Sequence, residues 1–577
     1  MENAHIEAEY QKWLANAGRD DSVMRDLREM AENEAEKLDC FYQNLSFGTG
    51  GLRGKMGAGT NRMNTFTVGK CTQGLADYLK KTKQSASAVI AYDTRNNSRL
   101  FAETAAGILA ANGISVSLFD TVHPTPMLSF TVRELGADCG IVITASHNPK
   151  EYNGYKVYGD DGGQLTDHMA NAVLECMNAC DIFGGIRFQS VEDALASGKL
   201  HIIGADIDSI YFEKVKALVS RTGLIKEHAK DLKIIYTPIH GSGNIPVRRV
   251  LSELGFSDIT VVPEQEKPDG NFPTAPYPNP EDPKVFAIAM EMAKQSTPDL
   301  IFGTDPDCDR IGVLAKDEKG KFVVLTGNQT GILLTDYLIH TLKEQGKLPQ
   351  NAAVINTIVT SDLVNVICEK EGVACFDVLT GFKYIAELIG QWEQDGSHSF
   401  IFGFEESYGY LKGDFVRDKD AVIASALIAE MALYYKQVKD MTLYQALQDV
   451  YARYGYAKEE LVNAAMKGKD GQEKMGRIMS DLRVKYAEIF AGHPLFAVED
   501  YKASTRVLPK TGEEQAILLP KSNVLKFIFE DGSWLVLRPS GTEPKIKLYL
   551  YAISPDAAKT EGRIAVLKEF VDRILPE

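Results

Sequence analysis

The chain is predicted to be an α/β protein: three related mixed-sheet α/β domains and a C-terminal α+β domain around a central cleft. Three observations predict this. The 577 residues exceed what one hydrophobic core sustains, since cores stop growing at roughly 250–300 residues. A strand–helix–strand pattern recurs three times, and each time a further apolar strand follows and runs into a polar loop. The last part of the chain changes character, to a hairpin, a strand and a closing helix.

In order along the chain, residues 1–45 are polar, rich in Ala, Glu and Leu and poor in breakers, which predicts an N-terminal helical extension. FGTGGLRG (47–54) interrupts it. The first repeat, in domain I (46–205), pairs SAVIAYD (87–93) with NGISVSLFD (112–120) across a helix, and CGIVI then meets TASHNP (144–149). The second, in domain II (206–325), runs from KIIYTPI (233–239) through VRRVLSELG (247–255) to ITVVPE (259–264), and DLIFG then meets TDPDCDR (304–310). The third, in domain III (326–450), runs from AAVINTI (352–358) through DLVNVICEKEG (362–372) to ACFDVL (374–379), and HSFIFG then meets FEESYG (404–409). Parallel sheets offer ligands the loops at the carboxyl ends of their strands, so three loops presented alike point to one shared cleft. Residues 451–577 are expected to form a helical bridge and domain IV, with 440–500 mostly helical. A hairpin (524–529 and 534–539), the strand 545–552 and a helix over about 555–574 complete the domain.

Composition narrows the partners. With 44% hydrophobic and 25% charged residues the chain is globular, and its net charge of −16 disfavours nucleic acid. An anionic substrate must then be drawn in by local cations. The opening MENAHIEAEYQKWL has no signal-peptide core, and no uninterrupted apolar run is long enough to span a bilayer, so a cytoplasmic protein without membrane contact is predicted. The eight cysteines lack metal-ligand spacing, Cys176 and Cys180 included, and read as thiols of a reducing compartment.

Asp305, Asp307 and Asp309 alternate in DPDCDR, so an extended or turning segment would place three carboxylates on one face. They repel unless a cation lies among them, and hard oxygen ligands suit magnesium or calcium. An EF-hand is excluded, because its sixth and twelfth positions would be Arg310 and Lys316. Ser146 follows a strand, with His147 beside it. A nucleophile elbow is excluded by Thr144 and Asn148 at the glycine positions, and a phosphorylated Ser146 would give the metal loop a further oxygen ligand. In RPSGTEP (538–544), Arg538, Ser540, Gly541 and Thr542 make a phosphate cradle without Walker geometry, or a plain Pro/Gly turn. Glu405 and Ser407 share one side of FGFEESYGY and suit vicinal sugar hydroxyls; Glu406 would face away. Arg53 sits in a glycine-rich setting that does not meet the dinucleotide pattern.

In this order and at these separations, TASHNP, DPDCDR, GFEES and RPSGTEP resemble the loops of the α-D-phosphohexomutases, and the likeness runs from about residue 45 to the end. FGFEESYGYL and RPSGTEPKIK look most like the phosphoglucomutase/phosphomannomutase group, with its phosphopentomutase-type relatives. The resemblance implies a phosphoserine at Ser146 that completes a Mg²⁺ site on Asp305, Asp307 and Asp309, with Arg310 beside it. It also implies sugar contacts from Glu405, Ser407, Thr380, Gly381 and Lys383, and a site for the non-transferred phosphate at Arg538, Ser540, Gly541 and Thr542. DPDCDR departs from the commonest form at Pro306 and Cys308, which are spacers, so the metal site is expected to survive.

The implied reaction interconverts glucose 1-phosphate and glucose 6-phosphate through glucose 1,6-bisphosphate, with Arg53 and Arg310 assisting and Lys156, His147 or Lys383 moving the hydroxyl proton. Mannose or pentose phosphates, and a sugar-bisphosphate synthase, are the alternatives within the family. A metal-dependent phosphatase and a non-catalytic sugar-phosphate binder are the alternatives outside it.

Overall fold

The computed structural model describes residues 2–47, 51–466, 468–539 and 545–575. The chain packs into two units: residues 1–326, 386–395 and 407–442 in the first, and 327–385, 396–406 and 443–577 in the second.

The first unit opens with helices Glu2–Asn16, Asp21–Glu29 and Glu34–Phe41. Asp20 accepts from the backbone N–H groups of Ser22 and Val23, and Asn33 from that of Glu36, so both later helices have side-chain N-caps. The fully buried Trp13 meets Phe41, Phe66 and Phe183 edge-on, each such contact adding about 0.5–1.5 kcal/mol, and fixes the helical layer to the helix Thr65–Thr82.

Two sheets follow. The first contains β1 (Gly51–Lys55), β2 (Ser87–Tyr92), β3 (Ser115–Phe119), β4 (Cys139–Ile143), β5 (Tyr152–Tyr158) and β6 (Leu200–Ile203), in the order β1-β5-β4-β2-β3-β6. The second contains β7 (Ile234–Thr237), β8 (Ile259–Val261), β9 (Leu300–Thr304), β10 (Ile311–Lys316) and β11 (Phe322–Leu325), in the order β11-β10-β9-β7-β8. In each, the opening strand of the repeat is flanked by two parallel partners: β3 and β4 beside β2, β8 and β9 beside β7. β5 and β10 then return antiparallel, which makes both sheets mixed. β4 and β9 are buried at every residue, as expected for unalternating apolar strands covered on both faces. The short strand β15 (Gly409–Leu411) also belongs to the first unit.

Among the described residues one helical stretch, Ala421–Lys439, is long and apolar enough by length and composition to cross a membrane, although Glu430 and two lysines interrupt it. It is apolar on all sides because it is a core helix, 83% buried within the protein.

The second unit holds the third repeat. β12 (Ala352–Thr357) is flanked by parallel β13 (Ala374–Val378) and β14 (Ser399–Glu405). The intervening helix Leu363–Glu371 ends at Gly372, whose φ of 67° is the left-handed conformation that a helix C-terminus gives most cheaply to glycine. A seven-stranded antiparallel sheet follows, ordered β16-β22-β21-β20-β17-β18-β19. Its strands are β16 (Tyr456–Ala465), β17 (Leu495–Asp500), β18 (Thr505–Leu508), β19 (Glu513–Ala516), β20 (Leu525–Phe529), β21 (Trp534–Pro539) and β22 (Lys545–Ser554). The helix Ala557–Ile574 packs on it.

The expectation of a mostly helical 440–500 holds for Leu443–Tyr454 and Gly468–Ile489 and fails for β16 and β17. YAKEELVNAA is rich in the helix formers Ala, Glu, Leu and Lys, yet it pairs with β22 over all ten residues. Tertiary pairing overrides propensity here.

Candidate active site

Ser146 leaves the end of β4 with a φ of 51°, a left-handed conformation that costs a non-glycine residue energy, and its side chain is buried. Its backbone N–H donates to Thr144 Oγ1 (2.8 Å), and its hydroxyl donates to Asp305 Oδ2 (2.8 Å). His147 Nδ1 lies 3.1 Å from the same hydroxyl. Burial, and then the charges of Arg310 and Arg53, hold the His147 imidazole well below its ordinary pKa, so it is neutral.

The carboxylates of Asp305, Asp307 and Asp309 present ligand atoms within 4.8 Å of one another, all buried. Lys156 from β5 donates to Asp307 Oδ2 (2.9 Å) and lies 3.7 Å from Asp309 Oδ2; Lys419 lies 3.2 Å from the latter. These ammonium groups offset part of the repulsion. Burial, and then Asp307 and Asp309, push Asp305 well above the carboxylate range. Burial would raise Asp307 too, but the charge and hydrogen bond of Lys156 prevail and hold it below that range.

Asp307 Oδ1 and Asp309 Oδ1 are buried without a hydrogen-bond partner. A buried carboxylate oxygen left so is costly, and an all-oxygen donor set suits a hard cation, so these residues fit the implied metal. With Pro306 and Cys308 as spacers the three carboxylates are still gathered. The Pro306 carbonyl accepts from the backbone and hydroxyl of Ser242, and Cys308 takes a φ of 53°. Gly241 allows this approach, because a Cβ there would meet Pro306 Cα at 2.7 Å.

Arg310 ion-pairs with Glu281 (3.0 Å) and lies 3.6 Å from Asp309; Arg53 donates to Asn148 Oδ1 (3.3 Å) in the serine loop. The structure adds residues that the sequence alone does not single out. Thr125 donates through its hydroxyl to Asp307 Oδ2 (2.8 Å) and through its N–H to the Asp307 carbonyl (2.9 Å). Asp418 orients Lys419 (2.9 Å) and accepts from Tyr158. The charged run RDKD (417–420) amid apolar segments is the signal that could have found Lys419.

In the second unit, Glu405 at the end of β14 accepts from the backbone N–H of Gly381 (2.7 Å), which ties the loop of Thr380, Gly381 and Lys383 to it. Gly381 has a φ of 127°. Thr380 Oγ1 is buried without a hydrogen bond, and Lys383, also buried, sits over the Tyr384 ring at 4.8 Å. Glu406 is half-buried. Burial, and then the neighbouring Glu405, raise its pKa to about 7 against the pull of Lys547 and Arg538. Arg538 is half-buried on β21, opposite Lys547 of β22. Ser540, Gly541 and Thr542 lie outside the described residues. Ser407 is half-buried in the first unit.

Three repeated α/β domains, an antiparallel C-terminal domain, and a serine hydroxyl bonded into a carboxylate triad define the α-D-phosphohexomutase class. Models of the four phosphoglucomutase/phosphomannomutase domains match residues 44–181, 209–320, 326–454 and 461–565, and the chain belongs to that family. It is 38% identical over 540 residues to a phosphoglucomutase of Staphylococcus saprophyticus, spanning 93% of this chain and 95% of that one. To a Staphylococcus aureus phosphoglucomutase it is 37% identical over 548 residues, spanning 94% and 95%. The fold is shared with the open form of Paramecium pp63/parafusin, a phosphoglucomutase (TM-score 0.68, 17% identity, 93% and 97% covered). A Burkholderia thailandensis phosphoglucomutase/phosphomannomutase family protein shares it too (TM-score 0.64, 18% identity, 92% and 97% covered).

Proposed function

We propose that this protein is a phosphoglucomutase that interconverts glucose 1-phosphate and glucose 6-phosphate through a phosphorylated Ser146 and glucose 1,6-bisphosphate. The observation that carries the reading is the buried hydroxyl of Ser146 bonded at 2.8 Å to a carboxylate of the Asp305–Asp307–Asp309 cluster, two of whose oxygens lack partners. The name of the relatives at about 38% identity supports it.

Asp305, Asp307 and Asp309 would hold Mg²⁺, which when bound neutralises charge on the phosphoryl group in transit. Phosphoserine 146 gives its phosphoryl group to the free hydroxyl of glucose 1-phosphate, and the serine oxygen is the leaving group. The bisphosphate turns over, and its other phosphate passes back to Ser146. In the first half the proton of the attacking sugar hydroxyl ends on the departing serine oxygen; in the second the neutral His147, 3.1 Å from Ser146 Oγ, takes the serine proton and delivers it to the departing sugar oxygen. Lys156, tied to Asp307 and near Asp309, serves charge balance rather than proton transfer. Arg53 and Arg310 add positive charge around the moving group. Glu405, Ser407, Thr380, Gly381 and Lys383 hold the sugar hydroxyls, and Arg538 with Ser540, Gly541 and Thr542 holds the stationary phosphate. We place the reaction in the cytoplasm, where eight free thiols stay reduced.

Incubation with glucose 1-phosphate, Mg²⁺ and a trace of glucose 1,6-bisphosphate should yield glucose 6-phosphate. Stoichiometric inorganic phosphate instead would make the protein a phosphatase. Parallel turnover on mannose 1-phosphate and ribose 1-phosphate ranks the sugars, and a ribose preference would replace the glucose assignment.

A further inference from the structure

Behind the serine loop lies a buried ion pair that none of these steps uses. Asp93 and Arg95 follow the end of β2, the strand that pairs with β4, and both are nearly inaccessible. The Arg95 guanidinium is spent on four carbonyls of one loop. Nη1 donates to Pro149 (3.0 Å) and Tyr152 (3.1 Å), and Nη2 donates to Ser146 (2.5 Å) and Asn148. The Phe272 ring covers its face at 5.0 Å. Arg95 Nε faces Asp93 Oδ2 at 3.4 Å.

Asp93 holds the other side of the same loop. Its Oδ1 accepts from the Arg95 N–H (3.0 Å) and Ser98 Oγ (2.7 Å), and its Oδ2 accepts from Thr144 Oγ1 (2.7 Å). Thr144 Oγ1 in turn accepts the N–H of Ser146 (2.8 Å). Both backbone polar groups of Ser146 therefore lead back to one buried pair. Ser146 has the left-handed φ of 51° that a serine adopts only when its surroundings impose it.

We propose that Asp93 and Arg95 are positioning residues for the transfer reaction, and that they hold the serine loop so that Ser146 Oγ keeps one place against Asp305. The inference rests on the reading of Ser146 as the phosphoryl carrier. Such a carrier must meet the same geometry as donor and as acceptor, and a displacement of about 1 Å costs about 100-fold in rate. The planar guanidinium fork suits the task, because it reaches four carbonyls in fixed directions. A lysine, with one compact ammonium, cannot.

The test compares the full-length wild type with Arg95→Lys and Thr144→Val. The second variant cuts the link from Asp93 to the Ser146 N–H and leaves the guanidinium in place. Thermal melting reports folding, and steady-state assays report kcat and KM for glucose 1-phosphate. Phosphate release reports how often the phosphoryl group goes to water instead of sugar. Arg95→Lys should lose about 100-fold in kcat and Thr144→Val about tenfold, with KM within about threefold and a larger share lost to water in both. A merely structural pair would lower the melting temperature and leave kcat and the water share of the folded enzyme unchanged; that result overturns the proposal. If Arg95→Lys does not fold, Thr144→Val decides alone by the same criteria. A wild type with neither mutase activity nor phosphate on Ser146 would sink the functional reading instead, so the two failures are distinct.

Discussion

β4 and β9 occupy equivalent places: each lies parallel to the opening strand of its repeat, is buried throughout, and ends in a turn with a left-handed, non-glycine residue, Ser146 or Cys308. The two turns carry opposite chemistry. The first offers a hydroxyl backed by a guanidinium and a neutral imidazole; the second gathers three carboxylates and two ammonium groups. A common scaffold thus fixes where a loop is delivered, and the side chains alone decide what it does. The loops meet through the hydrogen bond from Ser146 to Asp305.

Cutting that bond from the serine side should have the largest effect. Ser146→Ala is expected to lose at least about 10⁴-fold in turnover, because no other residue takes over a covalent carrier. Phosphopeptide mass spectrometry of the active wild type should place the phosphate on Ser146, and full activity in the variant would break the comparison. From the carboxylate side the effect is on the ion. Asp307→Asn should weaken Mg²⁺ binding by at least about 100-fold. Thr125→Val, which only orients Asp307, should weaken it by about tenfold. Titration calorimetry measures both, and equal losses would mean that Thr125 does more than orient.

The serine and the triad were legible because each sits in a few consecutive residues at the end of an apolar strand, where periodicity and local chemistry suffice. The three repeats were legible for the same reason. Thr125, Arg95 and Lys419 were not, since each reaches its partner only after distant segments have packed. β16 was misread because its residues favour a helix in isolation and its pairing with β22 is tertiary. The stretch Ala421–Lys439 is not an uninterrupted apolar run, since Glu430 and two lysines lie in it, yet every residue of its α-helical part, Ala421–Tyr434, is buried, which only packing reveals.

Asp420, at the head of that helix, gives the smallest effect and the sharpest contrast with the triad. Its Oδ1 caps Val422 and Ile423 (2.9 Å each), and its Oδ2 accepts from Tyr211 (2.7 Å). Burial raises its pKa to about 7, whereas Lys156 holds Asp307 low. The linkage signs are therefore opposite. Asp307, depressed when folded, contributes stability above its ordinary pKa and loses it as pH falls. Asp420 is protonated in the folded state and ionised in the unfolded state between about pH 4 and about 7. The folded state binds more protons in that window, so its contribution to stability declines as pH rises through it and is level above. Asp420→Asn keeps the cap and abolishes the titration. Urea unfolding at pH 5 and pH 8 should show the wild type losing about 1–3 kcal/mol relative to the variant on going to the higher pH, since each tenfold difference in proton affinity between the two states is worth about 1.4 kcal/mol. A difference that stays constant across the window would show that Asp420 is ionised in the folded protein, and that its surroundings keep a buried carboxylate charged.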